Sequence, residues 1–117
     1  MSSPLTSTGT GVRRSRRFRV NFPIKLFTMV QHRRCVLQGR SHDLSEAGMA
    51  IYIPAELQVG QMVQIEFILP DSTKRLGVTA VVRDCSGFRC GVEFLSLTLA
   101  EQKALTHSCD RLAATSV

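Results

Sequence analysis

Two short clusters in this chain of 117 residues combine residue types suited to recognition, one of an anion and the other of hydrogen-bond donors. The first is Arg13-Arg14-Ser15-Arg16-Arg17, in which arginine supplies all of the charge. Its planar fork grips phosphate oxygens, or the O6/N7 edge of guanine, through two parallel bonds, and it stacks on a base as an ammonium does not. The second is Asp43-Leu44-Ser45-Glu46-Ala47-Gly48. Its carboxylate can accept from the N1–H and N2–H₂ edge of guanine, donors that adenine lacks, with the Ser45 hydroxyl close by in sequence. Each cluster also has a plainer reading. The arginines suit a solvated basic arm, and the second segment suits a connecting turn in which Asp43 and Ser45 bond local backbone and Gly48 supplies a positive φ.

The charge distribution sharpens the first pair of readings. No Asp or Glu precedes Asp43, and residues 1–42 hold nine of the 15 Lys and Arg, so the excess positive charge behind the net +6 lies in the N-terminal part. Such asymmetry suits contact with nucleic acid, nucleotide phosphate or an acidic membrane surface. The longest apolar stretch, Gly48 to Ile53 and its flanks, is far shorter than the ~20 residues of a membrane-spanning helix. Met1 to Gly11 is Ser/Thr-rich and lacks the apolar core of a secretion signal. A cytoplasmic protein without direct membrane insertion is therefore expected.

Catalytic and metal chemistry find little support. Cys35, Cys85, Cys90 and Cys109 contain no C-x-x-C pair, and His32, His42 and His107 do not fall at zinc-ligand spacings around them. There is no phosphate-binding G-x-x-x-x-G-K-[ST] loop and no nucleophile with its base in a shared segment. The chain is thus expected not to be an enzyme, and to carry no cofactor or metal. With a two-residue turn at Ser86-Gly87, Cys85 would lie opposite Phe88 and Cys90 opposite Arg83, so all four cysteines are expected to be free thiols buried as small hydrophobes.

The elements that must position the two clusters follow from periodicity. Residues 1–12 carry too little apolar surface to offset the entropy of ordering and read as a flexible tail. Residues 13–114 form the domain. From Phe22 apolar and β-branched residues alternate through Ile24, Leu26, Thr28 and Val30, the period of a half-buried strand. Cys35 to His42 and Met49 to Ile53 are shorter strands on either side of the Asp43 segment. Val63, Ile65, Phe67 and Leu69 lead to a turn at Pro70-Asp71-Ser72, then Leu76 to Val82, and finally Phe88 to Phe94. Six short strands with tight connections predict an all-β antiparallel barrel or sandwich. Thr98-x-x-Glu101 then fits a capping box, and Leu105, Cys109 and Leu112 repeat on one face of a C-terminal α-helix.

Taken together, these segments resemble a known family. Arg13-x-x-x-Arg17 with Pro23-Ile24 downstream, followed by Asp43-x-Ser45-x-x-Gly48 at the entry to a strand, is similar to the two signature motifs of the PilZ domain. Cys90-Gly91-Val92-Glu93-Phe94 before the helix is similar to the way that family closes its barrel. The resemblance spans roughly residues 13–112. It implies a six-stranded antiparallel β-barrel with a C-terminal helix that binds the bacterial second messenger cyclic di-GMP. Carried over residue by residue, Arg13 and Arg17 are the main arginine contacts, Arg14 a supplementary one, and Asp43, Ser45 and Gly48 the rim contacts. Clustered positive charges with no acidic residue nearby in sequence further predict an N-terminal arm that is disordered when free, changes conformation when a ligand offsets the entropy of ordering it, and signals to a downstream protein partner.

Two other readings of a small basic barrel stand beside it. One is a platform for single-stranded nucleic acid, against which most of the six Phe and one Tyr sit at inward strand positions, leaving few rings for base stacking. The other is a PilZ-like interaction module that has lost its ligand, against which both signature motifs are intact.

Overall fold

The computed structural model describes residues 16–115, so the expected tail and Arg13 and Arg14 lie outside the described residues. Six strands run in order, β1 (Phe18–Val30), β2 (Arg33–Leu44), β3 (Gly48–Tyr52), β4 (Met62–Ile68), β5 (Arg75–Ser86) and β6 (Arg89–Ser96), and α1 (Leu99–Thr115) follows. Every pairing is antiparallel, and the order β1-β2-β3-β6-β5-β4 closes through β4 on β1. Closure gives every strand two neighbours, while the β1–β2 hairpin extends past the ring, with Arg33–Gly39 paired to β1 alone. The expected barrel with its C-terminal helix is therefore what the chain forms.

Alternation decides which side chains fill it. Leu26, Leu44, Met49, Ile51 and Ile65 are wholly buried, and the rings of Phe22, Phe67 and Phe94 stack at centroid distances of 5.7 and 6.4 Å. Burying each of the large side chains contributes roughly 1.5–3 kcal/mol, which is what holds so small a barrel together. β1 begins four residues before the predicted Phe22, at Phe18. Phe18 and Val20 already point toward the core between outward Arg19 and Asn21, so the arginine-rich flank is partly strand rather than arm.

The helix closes one end of the barrel. Its capping box forms as the sequence indicates, with Glu101 N–H donating to Thr98 Oγ1 at 3.1 Å and Thr98 N–H donating to Glu101 Oε1 at 2.9 Å. Leu105 and Cys109 enter the core, and Leu112 packs half-buried beside them. Two barrel loops hold the helix from outside. Thr106 Oγ1 donates to Glu46 in the β2–β3 loop at 3.1 Å, and Ser108 Oγ donates to Asp71 in the β4–β5 turn. None of the described helices is long and apolar enough to cross a membrane.

Two sequence expectations are overturned. The β5–β6 turn is centred on Gly87-Phe88, one residue later than predicted, because Gly87 adopts the positive φ (63°) that such a turn needs at its first position. The slip puts Cys85 directly opposite Cys90, with Cα atoms 4.2 Å apart, and the two form a disulfide. Only Cys35 and Cys109 are free thiols, and only Cys109 is fully buried. Burial, reinforced by Glu46 and Asp110, pushes the Cys109 thiol up to about 11, which keeps it protonated and inert at neutral pH.

Candidate ligand-binding site

The site is built where β1 begins and β2 ends. Asp43 closes β2 one residue past a bulge, since Ser41 pairs with Ile51 and Asp43 with Ala50, leaving His42 without a partner in the ladder. A bulge of this kind re-aims side chains next to functional surfaces. Here Ser41 and Leu44 face the core, while His42 and Asp43 both turn outward. Asp43 Oδ1 accepts from Ala50 N–H at 2.9 Å and from Arg17 Nη1 at 2.9 Å, so the strand backbone itself fixes the carboxylate. Asp43 Oδ2 has the Arg89 guanidinium at 3.9 Å.

The loop after Asp43 is a tight turn organised by Ser45. The Ser45 hydroxyl accepts from the amides of Ala47 and Gly48, both at 3.1 Å, and Ser45 N–H donates to the Gly48 carbonyl at 2.9 Å. Ser45 is 1% exposed, so its oxygen is spent inside the turn and bears on a ligand only through the loop's shape. Gly48 does not have the positive φ expected of it. Its lack of a side chain is needed for another reason: a Cβ there would collide with the Val92 carbonyl, because β6 passes directly beneath.

Around Asp43 lies an open pocket of about 750 Å³, within the ~300–1,000 Å³ typical of small-molecule sites. Arg17, Arg19 and Arg89 line it, together with Asn21, His42 and Tyr52. His42 meets the Tyr52 ring edge-on at 3.9 Å, and its buried Nε2 has no hydrogen-bond partner. An unsatisfied buried polar atom costs about 1–3 kcal/mol. Arg40, next to the pocket, is held by Nε donating to Asn21 Oδ1 at 2.7 Å. Three arginines, one fixed carboxylate and two rings can take an anion that also carries hydrogen-bond donors and a flat face.

Of the residues singled out in the sequence, the structure brings Arg17 and Asp43 together. Ser45 and Gly48 lie buried beneath them, and Arg13 and Arg14 fall outside the described residues. Sequence reasoning passed over Arg19, His42, Tyr52 and Arg89. The β2–β3 ladder sets Tyr52 opposite Arg40 and so beside His42, and pairing across β3 and β6 brings Arg89 in next to Tyr52. The available signal was their exposed parity: each is a large polar or aromatic side chain facing outward from a strand.

A family model described as the PilZ domain matches residues 12–111. No curated protein matches the chain. Among solved structures, the chain is similar to the PilZ domain of CeSA from a cellulose-synthesizing bacterium, at 20% identity and TM-score 0.65, over 85% of this chain and 99% of that one. It is similar also to the PilZ domain of YcgR from Escherichia coli, solved with c-di-GMP, at 24% identity and TM-score 0.65, over 90% and 98% of the two chains. With the Bacillus subtilis inhibitor of motility MotI/DgrA it shares 20% identity and a TM-score of 0.71 over 90% of its own length, but spans only 52% of that protein. At these identities the likeness to solved structures is one of fold, whereas the family model covers nearly the whole described chain. The protein belongs to the PilZ domain family.

Proposed function

We propose that the protein is a receptor for cyclic di-GMP, and that Arg13, Arg14, Arg17, Asp43, Ser45 and Gly48 make or shape its ligand site. The observation that carries this reading is the state of Asp43. One carboxylate oxygen is fixed by Ala50 N–H and Arg17, and the other lies toward Arg89 in the wall of a pocket lined by arginines. A cyclic dinucleotide brings two phosphates for the guanidinium groups, and purine faces for Arg and Tyr52 to stack on. It also brings the N1–H and N2–H₂ edge that a carboxylate accepts. The YcgR PilZ domain solved with c-di-GMP shows that a barrel of this fold takes such a ligand.

In this reading Asp43 reads guanine, Arg17 leaves its surface ion pair to meet a phosphate or base, and Arg13 and Arg14 close over the ligand from the preceding segment. An exposed pair such as Arg17–Asp43 is worth only about 0–1 kcal/mol, so exchanging it for ligand contacts costs little. Closure of the arm then offers a changed surface to a partner protein. Glu46, which follows Asp43 and is bonded to Thr106, ties the same loop to α1, so the helix also senses the loop's position.

Isothermal titration with cyclic di-GMP, cyclic GMP and a short single-stranded oligonucleotide tests the proposal. Saturable binding of cyclic di-GMP alone is expected. Equal or tighter binding of the oligonucleotide, with strong salt dependence, would replace it by the nucleic-acid reading. No heat with any of the three would leave the chain as an interaction module.

A further inference from the structure

A second surface, away from the pocket, has no role in the reading above. β1 and β2 meet in a two-residue turn in which Gln31 and His32 both take positive φ (50° and 65°), so the hairpin is sharp and its tip projects. On the outer face of this hairpin Phe27 lies opposite Val36 and Met29 opposite Arg34, and β4 continues the row with Met62 and Gln64. Met29, Val36 and Met62 are 54, 56 and 54% exposed, and with Phe27 they floor a groove of about 580 Å³ that also includes Arg34. From Arg19 in the ligand pocket to Met29 is roughly 30 Å along β1 at ~3.3 Å per residue.

Large apolar side chains that cluster in water without burial mark an interaction surface more often than chance scatter does. Two of the three are methionines, whose flexible, polarisable chains adapt to a partner's shape. The charges around them select the partner. Arg34 lines the groove and Arg33 and His32 stand exposed at the tip, while no carboxylate lines the groove. Neither Arg33 nor Arg34 forms an ion pair among the described residues, in contrast to Arg17, Arg75, Arg83, Arg89 and Arg111.

Two occupants from the chain itself are disfavoured by charge. Residues 1–15 contain no Asp or Glu and include Arg13 and Arg14, and a second copy brings another net +6. We propose that this face docks an acidic segment of another protein, one whose large apolar residues enter the Met29–Val36–Met62 groove while Asp or Glu flanking them meet Arg33 and Arg34. The inference does not depend on cyclic di-GMP: it stands or falls at this face, whatever the ligand pocket binds.

Sorting a displayed library of random 12-residue peptides against the whole chain tests it. Enriched peptides should carry net negative charge with at least two large apolar residues, and should shift the amide resonances of Met29, Val36 and Met62. Met62→Asp should lower their affinity about tenfold or more, the cost of truncating a central apolar contact and placing like charges together. Arg34→Glu should lower it about fivefold, with the loss shrinking as salt rises. Because these side chains are exposed, Met62→Ser and Val36→Thr serve as milder variants should Met62→Asp disturb the fold. Titration with cyclic di-GMP should be unchanged in all of them. Enrichment of neutral or basic peptides, enrichment of none, or binding indifferent to Met62→Asp and Met62→Ser would overturn the proposal. So would a homodimer in sedimentation equilibrium that Met62→Ser abolishes, since the face would then be an interface between copies.

Discussion

Asp43 at the end of β2 and Asp71 in the β4–β5 turn have nearly equal side-chain exposure, 19 and 18%, and each lies near two cationic or protonatable side chains. What differs is how their oxygens are used. Asp71 accepts from Ser108 Oγ on one oxygen and has His107 Nε2 at 3.5 Å and Arg111 Nε at 3.9 Å on the other, all three from the same helix. The hydrogen bond from Ser108 outweighs partial burial in holding its carboxyl below the ordinary 3.8, helped by its own amide, His107 and Arg111. Asp43 is instead gripped on one side by strand backbone and by Arg17, and its other oxygen borders an open pocket. A carboxylate whose donors come from one packed helix acts as a fastener. One whose outer oxygen meets only an exposed guanidinium at 3.9 Å is left able to bind something else.

The largest effect expected within this contrast comes from Gly48→Val. Its Cβ would collide with the Val92 carbonyl, so the loop beneath Asp43 could not sit on β6, and destabilisation of about 3 kcal/mol or more is expected. Denaturant unfolding would register it, and cyclic di-GMP binding should fall in parallel. Wild-type stability in this variant would mean that the loop and β6 part easily.

Arg17→Ala separates binding from folding. Losing one charged ligand contact typically costs 2–5 kcal/mol, so cyclic di-GMP affinity should drop about 30-fold or more. Loss of a surface ion pair should leave the free energy of unfolding within about 1 kcal/mol of wild type. Arg17→Lys should bind nearly as poorly, because an ammonium neither forks nor stacks. Full affinity in the lysine variant would reduce Arg17 to a point charge.

A smaller and more selective change is expected of Asp43→Asn. Affinity for cyclic di-GMP should fall about tenfold, the worth of a charge-assisted bond exchanged for a weaker one, while an adenine analogue is affected less. Equal losses for both ligands would make Asp43 a loop fastener like Asp71, and the contrast between them would collapse.

The smallest effect belongs to Asp71→Asn, with a stability loss of about 1 kcal/mol and unchanged ligand affinity. The pH dependence has a definite sign. A carboxylate lowered by folding stabilises the native state above 3.8, and that contribution disappears as pH falls through the lowered value. Acid unfolding should therefore be shallower in the variant than in wild type. A steeper acid transition in the variant would contradict the assigned direction.

Several features of the molecule are legible in residue order alone because their physics is local. Alternation in Phe22 to Thr28, Val63 to Leu69 and Leu76 to Val82 specifies which side chains face inward, since strand periodicity does not depend on partners, whereas Val30 at the end of the first run is exposed beside the hairpin turn. The capping box at Thr98 and Glu101 and the Leu105–Cys109 stripe likewise need only neighbouring residues. Arg17 and Asp43 were found through motif spacing, and the fold does bring them within 2.9 Å.

What tertiary structure decided depends on register between strands distant in sequence, which a one-residue slip inverts. Moving the β5–β6 turn from Ser86-Gly87 to Gly87-Phe88 turned two supposed free thiols into a disulfide pair. The bulge at His42 turned two consecutive side chains outward, and the β2–β3 and β3–β6 ladders in succession brought Tyr52 and Arg89 to the same pocket. Gly48 was correctly seen as constrained but for the wrong cause, because its limit is the approach of β6 and not its own φ. Local sequence sets periodicity and caps. Barrel closure alone determines which distant side chains meet, because that is settled by how the whole set of apolar faces is buried at once.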